Sequence, residues 1–193
     1  MLPTEANITT VAGDTAEFVS LGSGNWKCLW YQRYTGASLS VPVGSVVQVV
    51  NTITGAVATG TTTMPNDDTI PQNTEGDEYM TLAITPKATA NKLKITVVWN
   101  GINSAGVANM IVALFQDSTA DAIAAIKQTA GGGNTMINAT FVHYMAAGTT
   151  SSTTFKVRAG CASAGTTTFN GEASARLFGG KTASSITIEE IKV

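Results

Sequence analysis

Short stretches of alternating apolar and polar residues, punctuated by glycine, proline and asparagine, recur along this chain. Residues 92–99 set Leu93, Ile95 and Val97 against Lys92, Lys94 and Thr96, the period of two expected of a strand with one face in a core. Residues 15–21 and 26–33 form a second alternating pair. Between them Gly22-Ser23-Gly24-Asn25 supplies residues that accept positive φ, which predicts a β-hairpin. Further strands are predicted over 46–53, 79–85, 136–146, 153–159, 166–169, 172–178 and 185–191. In the last of these, Ile186, Ile188 and Ile191 are expected inside, with Thr187 and Glu189 facing the other way. Residues 108–116 are apolar at nearly every position, which predicts a strand buried on both faces. The stretch 120–128 fits either a strand or a short helix. Asn100-Gly101 and 131–133 read as turns, 54–78 as a long polar run holding Pro65 and Pro71, and 36–44 as a linker.

About eight to ten short strands with glycine-rich turns, and no regular alternation of strand with helix, indicate an all-β sandwich or jelly roll. The expected organisation is a β-hairpin module with its linker over residues 1–40, then one β-domain over 41–193. A two-stranded hairpin is marginal alone and needs something to pack on.

Composition narrows the function classes. Only 12% of the 193 residues are charged, about half the usual share. Threonine alone supplies about one residue in six, and its branched β-carbon suits a pleated strand. A surface so poor in charge suits a subunit that buries much of itself against copies. The net charge of −2 gives no basic footprint for nucleic acid and no polybasic segment for a membrane surface. No run reaches the roughly 18 apolar residues of a membrane span, so no membrane insertion is expected. Cys28 and Cys161 lie far apart and read as two buried free thiols, with a disulfide left open. Synthesis in a reducing cytoplasm is the expectation.

The residues that carry chemistry are few. The single histidine, His143, lies mid-strand and reads as structural. With one His and two separated Cys there is no zinc spacing, and no Gly-x-Ser-x-Gly elbow accompanies it. Gly131-Gly132-Gly133-Asn134 lacks the Lys-Ser/Thr of a phosphate loop. Asp67, Asp68, Glu75, Asp77 and Glu78 place five of thirteen acidic residues within twelve positions. A solvated or hydrogen-bonded loop is expected there; an ion or inter-subunit contact, and paired-carboxylate glycan hydrolysis, are the alternatives. Trp26, Trp30, Tyr31 and Tyr34 cluster at the hairpin and are expected to serve packing or an interface. No catalytic residue, metal site or cofactor is assigned.

Several ordered segments resemble the C-terminal domains of bacteriophage tail fibre and tailspike proteins. They are Ser45-Val46-Val47-Gln48-Val49-Val50, the run from Asp67-Asp68-Thr69-Ile70-Pro71-Gln72-Asn73-Thr74-Glu75-Gly76-Asp77-Glu78, then Leu82-Ala83-Ile84-Thr85-Pro86, Asn91-Lys92-Leu93, and Gly179-Gly180-Lys181-Thr182-Ala183-Ser184-Ser185-Ile186-Thr187-Ile188-Glu189-Glu190-Ile191. The resemblance spans about residues 45–193. The hairpin is similar to the small β-hairpin units that precede such domains. The resemblance implies a jelly roll like the C1q and tumour-necrosis-factor heads, and a homotrimer. It also implies a place in the virion tail, joined to the rest of a tail fibre, after synthesis in the host bacterial cytoplasm. Without a virion-docking segment or a long β-helix, the chain is expected to be a fragment of a longer fibre.

Under that resemblance the host partner is a cell-surface glycan or an outer-membrane receptor. Loops at the ends of a β-scaffold carry recognition, so the candidate binding residues are Asn103 and Ser104, Asn134, and Thr149, Thr150 and Ser151. Each hydrogen bond to a sugar contributes only about 0.5–1.5 kcal/mol net; three copies would compensate through effective concentration. A purely structural trimer tip, with these as mere turns, is the alternative, and a glycan hydrolase a further one.

Overall fold

The computed structural model describes residues 11–34, 41–105, 108–132 and 135–193. The chain divides into two compact units, Met1–Pro42 and Val43–Val193. In the first, β1 (Thr15–Gly22) and β2 (Asn25–Gln32) pair antiparallel. Ser23 and Gly24 turn the chain with φ of 52° and 79°, the primed geometry whose twist matches the strands it joins. The Asp14 carboxylate staples the base of the hairpin: it accepts from Val11 N at 2.9 Å, from Tyr34 N at 2.8 Å and from the Tyr31 hydroxyl. That hydroxyl and the two amides hold the carboxyl below its ordinary range. Five residues of the predicted linker, 36–40, lie outside the described residues; 41–44 are irregular.

The second unit is an antiparallel jelly-roll sandwich. Its strands are β3 (Val46–Thr54), β4 (Ala58–Gly60), β5 (Asp77–Ile84), β6 (Lys92–Asn103), β7 (Ala108–Gln116), β8 (Ala124–Ala130), β9 (Ile137–Ala146), β10 (Thr153–Cys161), β11 (Thr167–Phe169), β12 (Gly171–Glu172), β13 (Ala175–Arg176) and β14 (Ser184–Ile191). One sheet runs β5-β10-β7-β8; the other runs β3-β14-β6-β11-β4, with β9 also paired to β6. The inward residues of both sheets form one core: Leu93, Ile95, Val97 and Trp99 of β6 meet Met110, Val112 and Leu114 of β7 and Phe155 and Val157 of β10. Between Met80 and Glu78 the register with β10 slips by one residue. Tyr79 therefore turns inward beside Met80 and stacks on Phe169 at 5.0 Å, where burial pushes its hydroxyl far above the ordinary tyrosine range.

β7 is buried on both faces, as its unbroken apolar run predicts: its outward Ile111, Ala113 and Phe115 pack under the fully buried Met64. The predicted polar run is thus a working piece of fold. It holds β4 and then a strap that crosses the smaller sheet. Met64 N donates to Cys161 O at 3.1 Å, and Gly76 N to Thr63 O at 3.0 Å. Arg158 donates from Nε to Glu75 O and from its terminal nitrogen to Gly76 O, at 2.9 and 2.6 Å. A Cβ on Gly160 would lie 2.7 Å from Thr62 O, so the strap seats directly on the β10 backbone.

Four further expectations change. Asn100-Gly101 is not a turn: β6 runs on to Asn103, pairing Gly101 with Ile137 and with Phe169. Glycine is required there because a Cβ would meet the Trp99 ring at 2.5 Å and Thr168 O at 2.7 Å, a close approach inside a strand and not a bend. Of residues 120–128, left open between strand and helix, 124–128 are strand, in β8, which continues to Ala130, while 120–123 are irregular apart from an isolated bridge of Asp121 to Gln72. The strand predicted over 172–178 is only the two-residue pair β12 and β13 followed by a 3-10 turn at Phe178–Gly180; positive φ at Ala173, Ser174 and Phe178 breaks the ladder. In β14, Ile186 and Ile188 are fully buried as expected, but the third inward place belongs to Glu190, and Ile191 is only half-buried. Glu190 is tolerated because it accepts from Lys87 N at 2.8 Å, Ala88 N at 3.3 Å and Asn91 Nδ2 at 2.6 Å.

Candidate functional site

The loop residues do not converge. β9 runs antiparallel to β6, with Lys92 opposite Ala146 and Gly101 opposite Ile137. Asn103 and Ser104 therefore sit at one end of the sandwich, and Thr149, Thr150 and Ser151 at the other. The length of β6, at about 3.3 Å per residue, separates them by roughly 30 Å. Asn134 lies outside the described residues.

At the first end, Asn103 is buried. Its Nδ2 donates to Thr167 Oγ1 at 3.0 Å and its Oδ1 accepts from Ala105 N at 2.8 Å. Ser104 donates its N–H to Thr166 O and accepts from Thr166 N at Oγ. These two side chains fasten one loop to the next. At the second end, Thr150 and Ser151 are exposed, and Thr149 Oγ1 accepts from Ser151 N at 2.9 Å, which leaves the Thr150 and Ser151 hydroxyls toward solvent. Gly44 N donates to Lys192 O and Lys192 N to Ser45 O, so the start of β3 and the end of β14 share this second end. The Asn103 end is the pole away from the start of β3.

The acidic run is distributed. Asp67 accepts from Thr69 Oγ1 at 2.5 Å and Thr69 N at 2.9 Å, and these bonds hold its carboxyl below the ordinary aspartate value. Glu75 accepts from Gln72 N. Asp77 takes both the N–H and the hydroxyl of Thr62. Glu78 lies 3.9 and 3.8 Å from Lys156 and Arg158. Among the described residues no group of three His, Cys, Asp or Glu side chains is placed to hold a metal. Asp67 and Asp68 line an open cleft of about 320 Å³ against Ala122–Ala125. His143 pairs with Ile95 and is half-buried, on the inward side of β9 with Phe141 and Met145. Cys28 and Cys161 are buried free thiols.

The surface with the most consistent character is the outer face of the larger sheet. Four cross-strand rows follow from the registers: Ile53–Ser185–Val98–Thr140, Asn51–Thr187–Thr96–Val142, Val49–Glu189–Lys94–Tyr144 and Val46–Ile191–Lys92–Ala146. Ile53, Val49, Val142 and Tyr144 are exposed, at 68%, 56%, 48% and 58%. Asn51 Nδ2 donates to Thr187 Oγ1 at 2.7 Å. Glu189 and Lys94 pair at 2.5 Å, which raises the lysine above its ordinary value; Lys92 at the edge is the remaining charge. The exposed apolar residues thus lie on the two flanking strands, β3 and β9, either side of a mainly polar centre formed by β14 and β6.

No family model matches the chain, and no curated protein matches it. Among solved structures it is similar to Eiger TNF from S. frugiperda, with 8% identity and a TM-score of 0.39 over 74% of this chain and 92% of that one. It is also similar to the infectious bursal disease virus VP2 subviral particle, with 10% identity and a TM-score of 0.30 over 91% of this chain and 42% of that one. For the infectious bursal disease virus Gx strain the figures are 11% and 0.30, over 100% and 46%. The chain spans less than half the length of either bursal disease virus chain.

Proposed function

We propose that this chain is the homotrimeric tip of a phage tail fibre or tailspike, a non-enzymatic part that closes the fibre and attaches to a host surface glycan or outer-membrane receptor. The phage assignment is supported by the resemblance of residues 45–193. Assembly is supported chiefly by one observation: the outer face of β3, β14, β6 and β9 exposes Val49, Ile53, Val142 and Tyr144 around a single neutralised ion pair. Apart from that pair only Lys92 is charged in these rows, so copies meeting there would face little like-charge repulsion. Its place is the virion tail, after synthesis in the host cytoplasm.

Light scattering on the purified chain at micromolar concentration is expected to give three times 19.9 kDa; a species of one chain mass overturns the assembly reading. Fluorescent trimer is then expected to label host cells, and competition with phage adsorption to fall sharply for a monomeric variant of intact fold. A second reading, a trimer lock with recognition elsewhere, is favoured by Asn103 and Ser104 being engaged internally. Trimer that neither labels cells nor competes selects it. Release of reducing ends from host capsule would instead indicate a hydrolase.

A further inference from the structure

We infer that the turn carrying Phe178 is a contact site for an acidic sugar, with the aromatic ring against one face of a pyranose and Arg176 on its anionic group. The inference deepens the attachment reading above and rests on it. The turn lies at the pole away from the start of β3: that strand reaches this pole at Thr54, which pairs with Ser184, and Phe178–Gly180 comes just before β14. Backbone strain concentrates here. Of the six non-glycine residues with positive φ among the described residues, Asn170, Ala173, Ser174 and Phe178 fall between 170 and 178. Phe178, at φ 46°, is the bulky one, and a large side chain stays in the left-handed region only where its surroundings impose it. They do: Gly180 N donates to Leu177 O at 2.7 Å and Lys181 N to Phe178 O at 3.2 Å, and a Cβ on Gly55 would overlap the Gly180 carbonyl. Burial of the ring does not account for this turn, because Phe178 is 79% exposed, the highest value among the large hydrophobic residues described.

Charge supplies the ligand class. Residues 171–183 hold Arg176 and Lys181 against the single acid Glu172, in a chain whose net charge is −2. All three are exposed, and neither cation forms an ion pair with a described residue. The Arg176 stem lies against the turn, its Cδ 3.2 Å from where a Gly180 Cβ would stand, so guanidinium and ring start from one braced segment. A carboxylate or phosphate accepts the planar guanidinium fork bidentately, which a neutral hydroxyl cannot do. The ring face carries partial negative charge and suits the C–H face of a pyranose, which a free inorganic anion lacks. The two together select an acidic sugar. Contact on an open turn is weak singly, and three copies raise it through effective concentration.

The test applies the full chain, Phe178→Ala and Arg176→Met to an array of bacterial oligosaccharides and to host cells, beside light scattering and melting of each. Both variants are expected to keep the mass and melting temperature of the parent. The parent is expected to bind only glycans that contain an acidic sugar, and each variant to lose about tenfold in binding, the effect of one anchor residue. Chemical reduction of the carboxyl groups, or removal of phosphate, on the bound glycans shows which acid Arg176 meets; binding that survives both treatments overturns the inference, as does equal binding to neutral glycans. If parent and variants label host cells equally, the turn is not the site and the attachment reading stands. A parent that neither labels cells nor binds any array glycan overturns both. Should Phe178→Ala fall to one chain mass, the ring belongs to the interface between copies and the inference fails.

Discussion

The two faces of the larger sheet are built from the same strands and have opposite characters. Inward, β6 and β14 present Leu93, Ile95, Val97, Trp99, Ile186 and Ile188, all without solvent contact. Outward, the same strands present threonines, Val98, a lysine–glutamate pair and Ile191, flanked by exposed apolar residues of β3 and β9. The inner face is satisfied within one chain. The outer face is ordered, nearly uncharged and unfinished. Under the proposed assembly, a single strand carries both a folding signal and an assembly signal, on alternate residues.

Substitutions on the two faces are expected to separate these signals. Trp99→Ala empties the largest buried side chain of the inner face and should cost about 3–5 kcal/mol, read as a lowered denaturation midpoint whatever the concentration. Glu190→Ala leaves the Lys87 and Ala88 amides and the Asn91 side chain without their acceptor; a loss of about 1–3 kcal/mol is expected in the same assay. Val142→Asp, on the outer face, should change the stability of the single chain by no more than about 0.5 kcal/mol while reducing the mass in light scattering to one chain. A trimer that survives it, and Tyr144→Asp as well, would place the interface elsewhere.

The smallest effect is expected from Lys94→Met. Its pairing with Glu189 raises the lysine above its ordinary value of 10.5, so the stabilisation is fully present below that value and disappears as pH rises through the raised one. A small difference in melting temperature between Lys94→Met and the parent at neutral pH should therefore close in strong alkali. A difference that widens there would mean the pair is not what the lysine contributes.

Strand identity was readable where a long run set one burial pattern, and not in the short exposed segment 172–178. The alternation in 92–99 and the unbroken run in 108–116 each specify a burial pattern, and both appear in the structure. Glycine was ambiguous: Gly101 reads as a turn beside Asn100, and only the Trp99 ring and the Thr168 carbonyl lying against it reveal why a side chain is excluded. Glu190 was missed because its partners are backbone amides about a hundred residues away, and amides leave no mark in a sequence. Met64 stood hidden in a polar run, where one apolar residue makes no period. The outer face did have a signal: Phe141-Val142-His143-Tyr144-Met145 places Phe141 and Met145 at one parity and Val142 and Tyr144 at the other, so large side chains stand on both faces. The loop candidates rested on composition, and composition cannot distinguish an asparagine that meets a ligand from Asn103, which holds its neighbour.

Met64 also makes the strap its own recorder. Its thioether is sealed between the strap and β7, so peroxide reaches it only when the strap lifts, whereas Met136 is 39% exposed and open to oxidation at any time. Once converted to the polar sulfoxide it no longer fits its slot among Ile111, Ala113 and Phe115. In the purified chain, with no sulfoxide reductase present, each lifting that ends in oxidation stays recorded, and the chain accumulates a chemical tally of its own partial opening.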